Sequence, residues 1–284
     1  MPATVMSKEI SGSVEKHWHS DEAGALLERI DEALRRSGRD PQALAVDDLL
    51  TVDEFHIRGR EATDELAKLA RLDEGMKIID VGSGLGGPSR FIASRYGCHV
   101  TGVDLTAEYC ATATVLAERT GLASKVEYRR ANALDLPFEN ESFDLAWTQH
   151  ISMNIPDKRL MFAEMARVTK SGGRVVIYDP IRGADEPLTY PVPWSRDGEI
   201  SFLVDAEETR SLLESAGLRV ETWNDVSEKS LEWFRNNAAN TSAAPPVLGL
   251  HLLLGAEWPT MASNMVENIA AGRLAVVQVI ARRP

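Results

Sequence analysis

A short apolar run that enters a glycine-dense turn and leaves it as a helix limits what this chain can fold into. The run is Ile78-Ile-Asp-Val-Gly-Ser-Gly-Leu-Gly-Gly-Pro88. Four glycines let the backbone turn tightly and approach a ligand, and Pro88 occupies a position favoured at the start of a helix. Gly82, Gly84 and Gly87 satisfy G-x-G-x-x-G, and Asp104 ends the next apolar run, placed for a pair of ribose hydroxyls. Around this turn short apolar runs alternate with helical patterns. Lys77 to Val81, Val100 to Val103, Val126 to Arg129, Phe143 to Trp147, Arg174 to Tyr178, Leu218 to Thr222 and Leu274 to Ile280 read as seven strands. Ser89 to Arg95, Ala107 to Thr120, Lys158 to Thr169, Ala206 to Ser215 and Thr260 to Ala271 read as helices. This alternation predicts an α/β fold: a Rossmann-like, mostly parallel sheet with helices on both faces.

Residues 1–75 form an N-terminal helical cap segment in this reading, with helical spacing over Asp21 to Arg36 and again at Ala62, Leu66, Leu69 and Ala70. Residues 76–284 form the core. Two insertions interrupt it, about 181–203, rich in proline and aromatics, and about 230–262, with Trp233, Phe234 and His251. If they cover the carboxyl ends of the strands, they are the natural walls of a substrate pocket.

The glycine turn fits two ligand classes, nicotinamide or flavin dinucleotides and S-adenosylmethionine. Asp80 separates them by sign. At the mouth of the turn a carboxylate would face a pyrophosphate in the first case and a sulfonium with an ammonium group in the second. At ~4 Å two unit charges interact by roughly 4 kcal/mol near a protein surface, before solvent screening. A cationic ligand is favoured.

The stretch from Asp80 resembles the first motif (D-x-G-x-G-x-G) of class I S-adenosylmethionine-dependent methyltransferases. Val103-Asp104-Leu105 resembles their ribose-binding acidic motif. Ala131-Asn-Ala-Leu-Asp-Leu-Pro137 followed by Ser142-Phe-Asp144 resembles the adenine-side loop and its strand, and Glu164 to Gly173 is similar to E-x-x-R-V-L-K-P-G-G. Within the class the chain is similar to glycine, sarcosine and dimethylglycine N-methyltransferases and to ubiquinone and menaquinone C-methyltransferases, on Phe55-His-Ile-Arg-Gly59, Trp147-Thr-Gln-His150 and the ending from Gly249 to Pro284. Asn132 stands where such families carry Asp, and Asn154 near where some carry His. An Asn oxygen still accepts from the adenine amino group.

The resemblance implies S-adenosyl-L-methionine as cofactor, S-adenosyl-L-homocysteine as product, and contacts from Phe55, His56, Asp80, Gly82, Ser83, Gly84, Gly86, Asp104, Leu105, Asn132, Ala133 and Gln149. His150, past the end of the fourth strand, is the candidate base. Met153, Asn154, Tyr178 and Trp194 are candidates for the acceptor site, the aromatics through their ring faces. The expected reaction is methyl transfer to a small molecule, foremost an amine such as sarcosine or dimethylglycine. Carbon, oxygen or sulfur acceptors, a nicotinamide-dependent oxidoreductase and a non-catalytic cofactor-binding module are the alternatives.

Charge and composition narrow the partners. The 284 residues carry 31 Lys and Arg against 43 Asp and Glu, a formal net charge of −12, which repels phosphate backbones and anionic membranes. No metal-ligand spacing occurs, and two cysteines, Cys98 and Cys110, suit a reducing compartment. Met1 to Ser20 holds no apolar run for a signal peptide or membrane span, so the expectation is a cytoplasmic enzyme, its oligomeric state open.

Overall fold

The computed structural model describes residues 3–18, 24–184, 186–240 and 247–284. Seven strands form one sheet: β1 (Lys77–Val81), β2 (His99–Asp104), β3 (Val126–Arg130), β4 (Phe143–Gln149), β5 (Thr169–Arg182), β6 (Arg219–Asp225) and β7 (Leu274–Arg282). Their order is β3-β2-β1-β4-β5-β7-β6. The pairs among β1 to β5 are parallel, and β7 runs antiparallel between β5 and β6. The strand order reverses at β1, where the chain next crosses to β4. That is the position at which open α/β sheets leave a crevice.

Successive residues of each strand face opposite sides, and both sides are covered. Ile78, Val100, Leu145, Trp147, Val176 and Tyr178 share a buried cluster with Leu66, Ile92, Met265 and Ile269. These helical residues lie on α4 (Gly59–Leu69), α5 (Gly87–Tyr96) and α11 (Trp258–Ala270). Ile79, Val81, Val103, Ala146, Val175 and Ile177 pack with Met161, Phe162 and Met165 of α7 (Lys158–Val168) and Leu213 of α8 (Ala206–Ser215). Asp157 and Asp205 start α7 and α8 by accepting from the amides of Leu160 and Glu208, both at 2.9 Å.

A third cluster ties the amino-terminal segment to the sheet's edge. Leu26, Ile30 and Leu34 of α2 (Ala25–Arg36) pack with Val52 of α3 (Leu50–Asp53), Leu85, Leu248 and the Tyr109 and Leu116 of α6 (Ala107–Arg119). Arg90 of α5 and Asp53 of α3 form an ion pair at 2.6 Å with neither side chain exposed.

Most expected elements occur within a few residues of their predicted bounds; of the helix expected over Asp21 to Arg36, residues 21–23 lie outside the described residues. Several helices were not expected. α1 (Ala3–Trp18) stands in a segment whose mixed polar composition gave no clear apolar stripe. α9 (Ser227–Asn240) and α10 (His251–Leu254) fill much of the second insertion, where Trp233 and Phe234 lie. No helix of the described residues is long and apolar enough to cross a membrane.

Candidate active site

The glycine turn is closed by its own hydrogen bonds. Gly82 and Ser83 amides donate to the Val103 carbonyl at 2.7 and 3.0 Å, and Gly86 donates to the Ser83 carbonyl at 2.8 Å. Gly82, Gly84 and Gly86 all have positive φ, at 78°, 53° and 77°, which a side chain disfavours. A Cβ at Gly82 would lie 2.0 Å from Ile151 Cδ1, and one at Gly86 would lie 2.2 Å from the Tyr128 hydroxyl. Gly87 serves differently: a Cβ there would lie 2.3 Å from the Asp53 carbonyl, so this glycine lets α3 approach the head of α5.

Above the carboxyl ends of β1, β2 and β4 lies a cavity of about 430 Å³. The expected contact residues Phe55, His56, Asp80, Gly82, Ser83, Gly84, Asp104, Leu105, Asn132, Ala133, Gln149, His150, Met153, Asn154 and Trp194 all line it. Gly86 and Tyr178 do not. Gly86 instead accepts from the Tyr128 hydroxyl at 3.2 Å. Tyr178 is fully buried, donates to the Ile57 carbonyl at 3.0 Å, and packs against both His56 and His150 with ring centroids 5.8 and 5.2 Å away. Tyr178 thus braces the histidines rather than bounding an acceptor.

The polar groups of the cradle divide by whether the protein has already satisfied them. Asp104 accepts from the Gly84 amide and the Thr106 amide, each at 2.9 Å, so its carboxylate is held in place at the end of β2. The Asn132 oxygen accepts from the Leu134 amide at 3.0 Å and so fixes the turn after β3. The Ser83 hydroxyl is buried without a partner. Asp80, 2% exposed, accepts only from the Ser89 hydroxyl at 2.6 Å. Burial pushes its carboxyl up to about 7, and the neighbouring Asp104 adds to the shift. Asp53, Glu54, Asp80 and Asp104 line the cavity, whereas no Lys or Arg does among the described residues. Arg90 answers Asp53, and Arg60 answers Glu54 at 2.6 Å; no cation answers Asp80.

That arrangement fits S-adenosylmethionine. Its ammonium and sulfonium supply the positive charge that Asp80 lacks, and Asp104 fits its ribose. A dinucleotide pyrophosphate at the turn would face Asp80 with no Lys or Arg of the described residues lining the cavity to offset its charge.

His150 lines the same cavity. It holds φ at 53°, its amide donates to the Tyr178 carbonyl at 2.8 Å, and the next turn is pinned from below by Asp179. The Asp179 carboxylate accepts from the Ile151 amide at 2.8 Å and the Ser152 amide at 3.4 Å. His150 Nε2 is buried without a hydrogen-bond partner. Burial, reinforced by the nearby His56, holds its pKa well below the ordinary histidine range, so the ring is neutral at pH 7. His56 is likewise lowered to about 4 by burial and is tied to the Gly59 carbonyl and Thr63 hydroxyl at 2.9 and 3.0 Å.

Asn154 gathers another part of the cavity wall. Its Nδ2 donates to the carbonyls of Trp194 and Ile200 at 2.9 and 2.8 Å, and its oxygen accepts from Trp18 Nε1 at 3.3 Å. One side chain thereby joins α1, the turn after β4 and the first insertion. Sequence reasoning missed Trp18, because α1 was not recognised, and Asp179, whose signal was its place near the carboxyl end of β5. No group of three or more His, Cys, Asp or Glu side chains able to hold a metal occurs among the described residues.

Comparison with known proteins agrees with this geometry. Residues 79–177 match the methyltransferase domain family. The chloroplastic tocopherol O-methyltransferase of Arabidopsis thaliana is 41% identical over 101 residues, covering 36% of this chain and 29% of that protein. Methyltransferase GfsG of Streptomyces halstedii is 29% identical over 215 residues, covering 74% of this chain and 77% of that protein. The chain spans about a third of the length of the plant and algal relatives it matches. Among solved structures, a geranyl diphosphate methyltransferase in complex with geranyl diphosphate and sinefungin superposes over 97% of this chain and 100% of that one, with TM-score 0.70 and 20% identity, a likeness of fold. The matched segment contains the glycine turn, Asp104, Asn132 and His150, and the chain carries a methyltransferase domain of the class I S-adenosylmethionine-dependent type.

Proposed function

We propose that this chain methylates a small-molecule acceptor at the expense of S-adenosylmethionine, with His150 receiving the acceptor's proton. The observation that carries the reading is one cavity lined both by the acidic cradle of the glycine turn and by the neutral His150 imidazole. When bound, the cofactor supplies an electrophilic methyl carbon on a sulfonium. Asp80 holds positive charge and Asp104 holds hydroxyls, and Phe55 packs over the turn, 3.7 Å from where a Gly84 Cβ would stand. The α1 helix and the two insertions wall the chamber and exclude water, so methyl transfer is promoted by alignment rather than by a covalent enzyme intermediate. His150 stays unprotonated at pH 7 and is available to take a proton.

The narrower expectation of sarcosine or dimethylglycine has little support in this lining. Both carry a carboxylate, and no Lys or Arg side chain of the described residues faces the cavity to receive it. The test is incubation with methyl-labelled S-adenosylmethionine and an acceptor panel spanning amines, thioethers, phenols and quinol precursors. Label in one acceptor class, matched by demethylated cofactor, is the expected result. Tight cofactor binding with no transfer to any class would instead favour a binding module, and binding of a nicotinamide dinucleotide in place of S-adenosylmethionine would favour an oxidoreductase.

A further inference from the structure

The acceptor end of the cavity differs in character from the cofactor end. Every lining carboxylate belongs to the glycine cradle or to the α3 region beside it. The rest of the lining includes Trp18, Met153, Trp194, Trp233, Phe234 and Trp258, and no other charged side chain of the described residues joins it. Asn154, the amide among them, spends both its donors and an acceptor lone pair on Trp194, Ile200 and Trp18. The wall therefore offers ring faces and thioether sulfur, which reward apolar, planar surface, and it offers no counter-charge to an ion. An anion brought here would lose its hydration without compensation. A cationic amine would also lie beside the positive charge of the bound cofactor.

We infer that the acceptor is a neutral, ring-bearing apolar molecule that presents a hydroxyl group to His150. This rests on the methyltransferase reading above. The hydroxyl is selected by His150, the titratable group at the junction of the two ends, whose neutral ring accepts a hydrogen bond but offers no charge to an ionised group. In the transfer, the acceptor oxygen forms a bond to the methyl carbon as the carbon–sulfur bond breaks. The electron pair of that bond stays on sulfur, and the hydroxyl proton passes to the His150 imidazole and then to solvent. The product is a methyl ether and the neutral thioether S-adenosylhomocysteine.

The four tryptophans at the wall give a readout that needs no turnover. The intact protein is saturated with S-adenosylhomocysteine and its tryptophan emission is titrated with 2-naphthol, 2-naphthoate and 2-naphthyl phosphate, probes that share a ring system and differ in charge. The expected result is that 2-naphthol binds at least about tenfold more tightly than either anion, a difference of roughly 1.4 kcal/mol. With labelled S-adenosylmethionine the same probe acquires label on oxygen. Trp233→Arg, which places a cation at the half-buried wall, is expected to narrow or reverse the preference. Equal or tighter binding of 2-naphthoate or 2-naphthyl phosphate by the unaltered protein, or no binding of 2-naphthol, overturns the inference while leaving methyl transfer intact. Failure of S-adenosylhomocysteine itself to bind removes the underlying reading instead.

Discussion

A carboxylate buried without a counter-ion is stabilised in its protonated form, and Asp80 shows the consequence. Its carboxyl is pushed up to about 7 by burial, with Asp104 contributing. In the free protein this raised value means that the folded state binds more protons than the unfolded chain between the ordinary carboxylate range and about pH 7. Stability contributed by the protonated group is therefore lost as pH rises through that window, by up to roughly 4 kcal/mol above it. Asp80→Asn keeps the acceptor for Ser89 and removes the charge. It is expected to raise the melting temperature of the ligand-free protein at pH 8 more than at pH 5, while weakening S-adenosylmethionine binding by more than about tenfold, as the loss of a charge-assisted contact predicts. Calorimetric titration should also show wild-type affinity increasing from pH 6 to 8 and the variant's staying flat. His150 yields a separate prediction. His150→Asn retains a residue that tolerates positive φ, so cofactor affinity should persist while kcat falls by about 10²- to 10⁴-fold, the usual contribution of a positioned base. A cofactor affinity that collapses with kcat would instead assign His150 to cofactor binding. The sequence made both residues legible, Asp80 by its place before the glycines and His150 by its place after the fourth strand. It did not make Asp179 or the role of Tyr178 legible, because those depend on which side of β5 each side chain takes and on what packs there.

At the scale of elements, the turn between β1 and α5 and the clasp at Asn154 are separable. Gly82→Ala sets a Cβ 2.0 Å from Ile151 Cδ1 at φ 78°. Ile151 would have to turn into the cavity it lines, so the variant should lose about 1–2 kcal/mol of stability to the left-handed backbone and lose most of its cofactor affinity. Asn154→Ala should act at the other end. It removes three hydrogen bonds that join Trp18, Trp194 and Ile200, each worth about 0.5–1.5 kcal/mol. The expected outcome is a raised KM for the acceptor with cofactor affinity unchanged in steady-state and binding measurements; an equal loss of both would mean that α1 supports the cradle as well. These elements also mark how far pattern reading extends. Short apolar runs bounded by turns located the strand cores, most plainly in β1, β4 and β7, which are buried on both faces. The α1 helix carries a weak apolar stripe and owes its position to contacts far along the chain, such as His17 Nε2 donating to the Pro193 carbonyl at 2.9 Å. Local sequence contains no trace of such pairings.

Across the whole molecule, the carboxylates of the cavity and its lack of cationic lining form one electrostatic device, a chamber whose acidic end is completed by a positively charged ligand. Ligand binding to the folded state alone adds stability that grows with the logarithm of concentration, about 2.7 kcal/mol at a hundredfold excess over Kd. The net charge of −12 is spread well beyond this chamber and favours small partners over polyanions. Fold and cofactor cradle were legible because the glycine turn, Asp104 and the strand alternation are local patterns. The acceptor chamber was not, because Trp18, Trp194, Trp233 and Trp258 converge from segments more than 200 residues apart in sequence at their extremes. The most direct test of the account is calorimetric titration of the intact protein with S-adenosylmethionine, with NADH as the competitor, repeated on Asp80→Asn. The account predicts saturable binding of one S-adenosylmethionine per chain, loss of more than about tenfold in affinity in the variant, and no displacement by NADH. Absence of S-adenosylmethionine binding, or displacement by NADH, would contradict it.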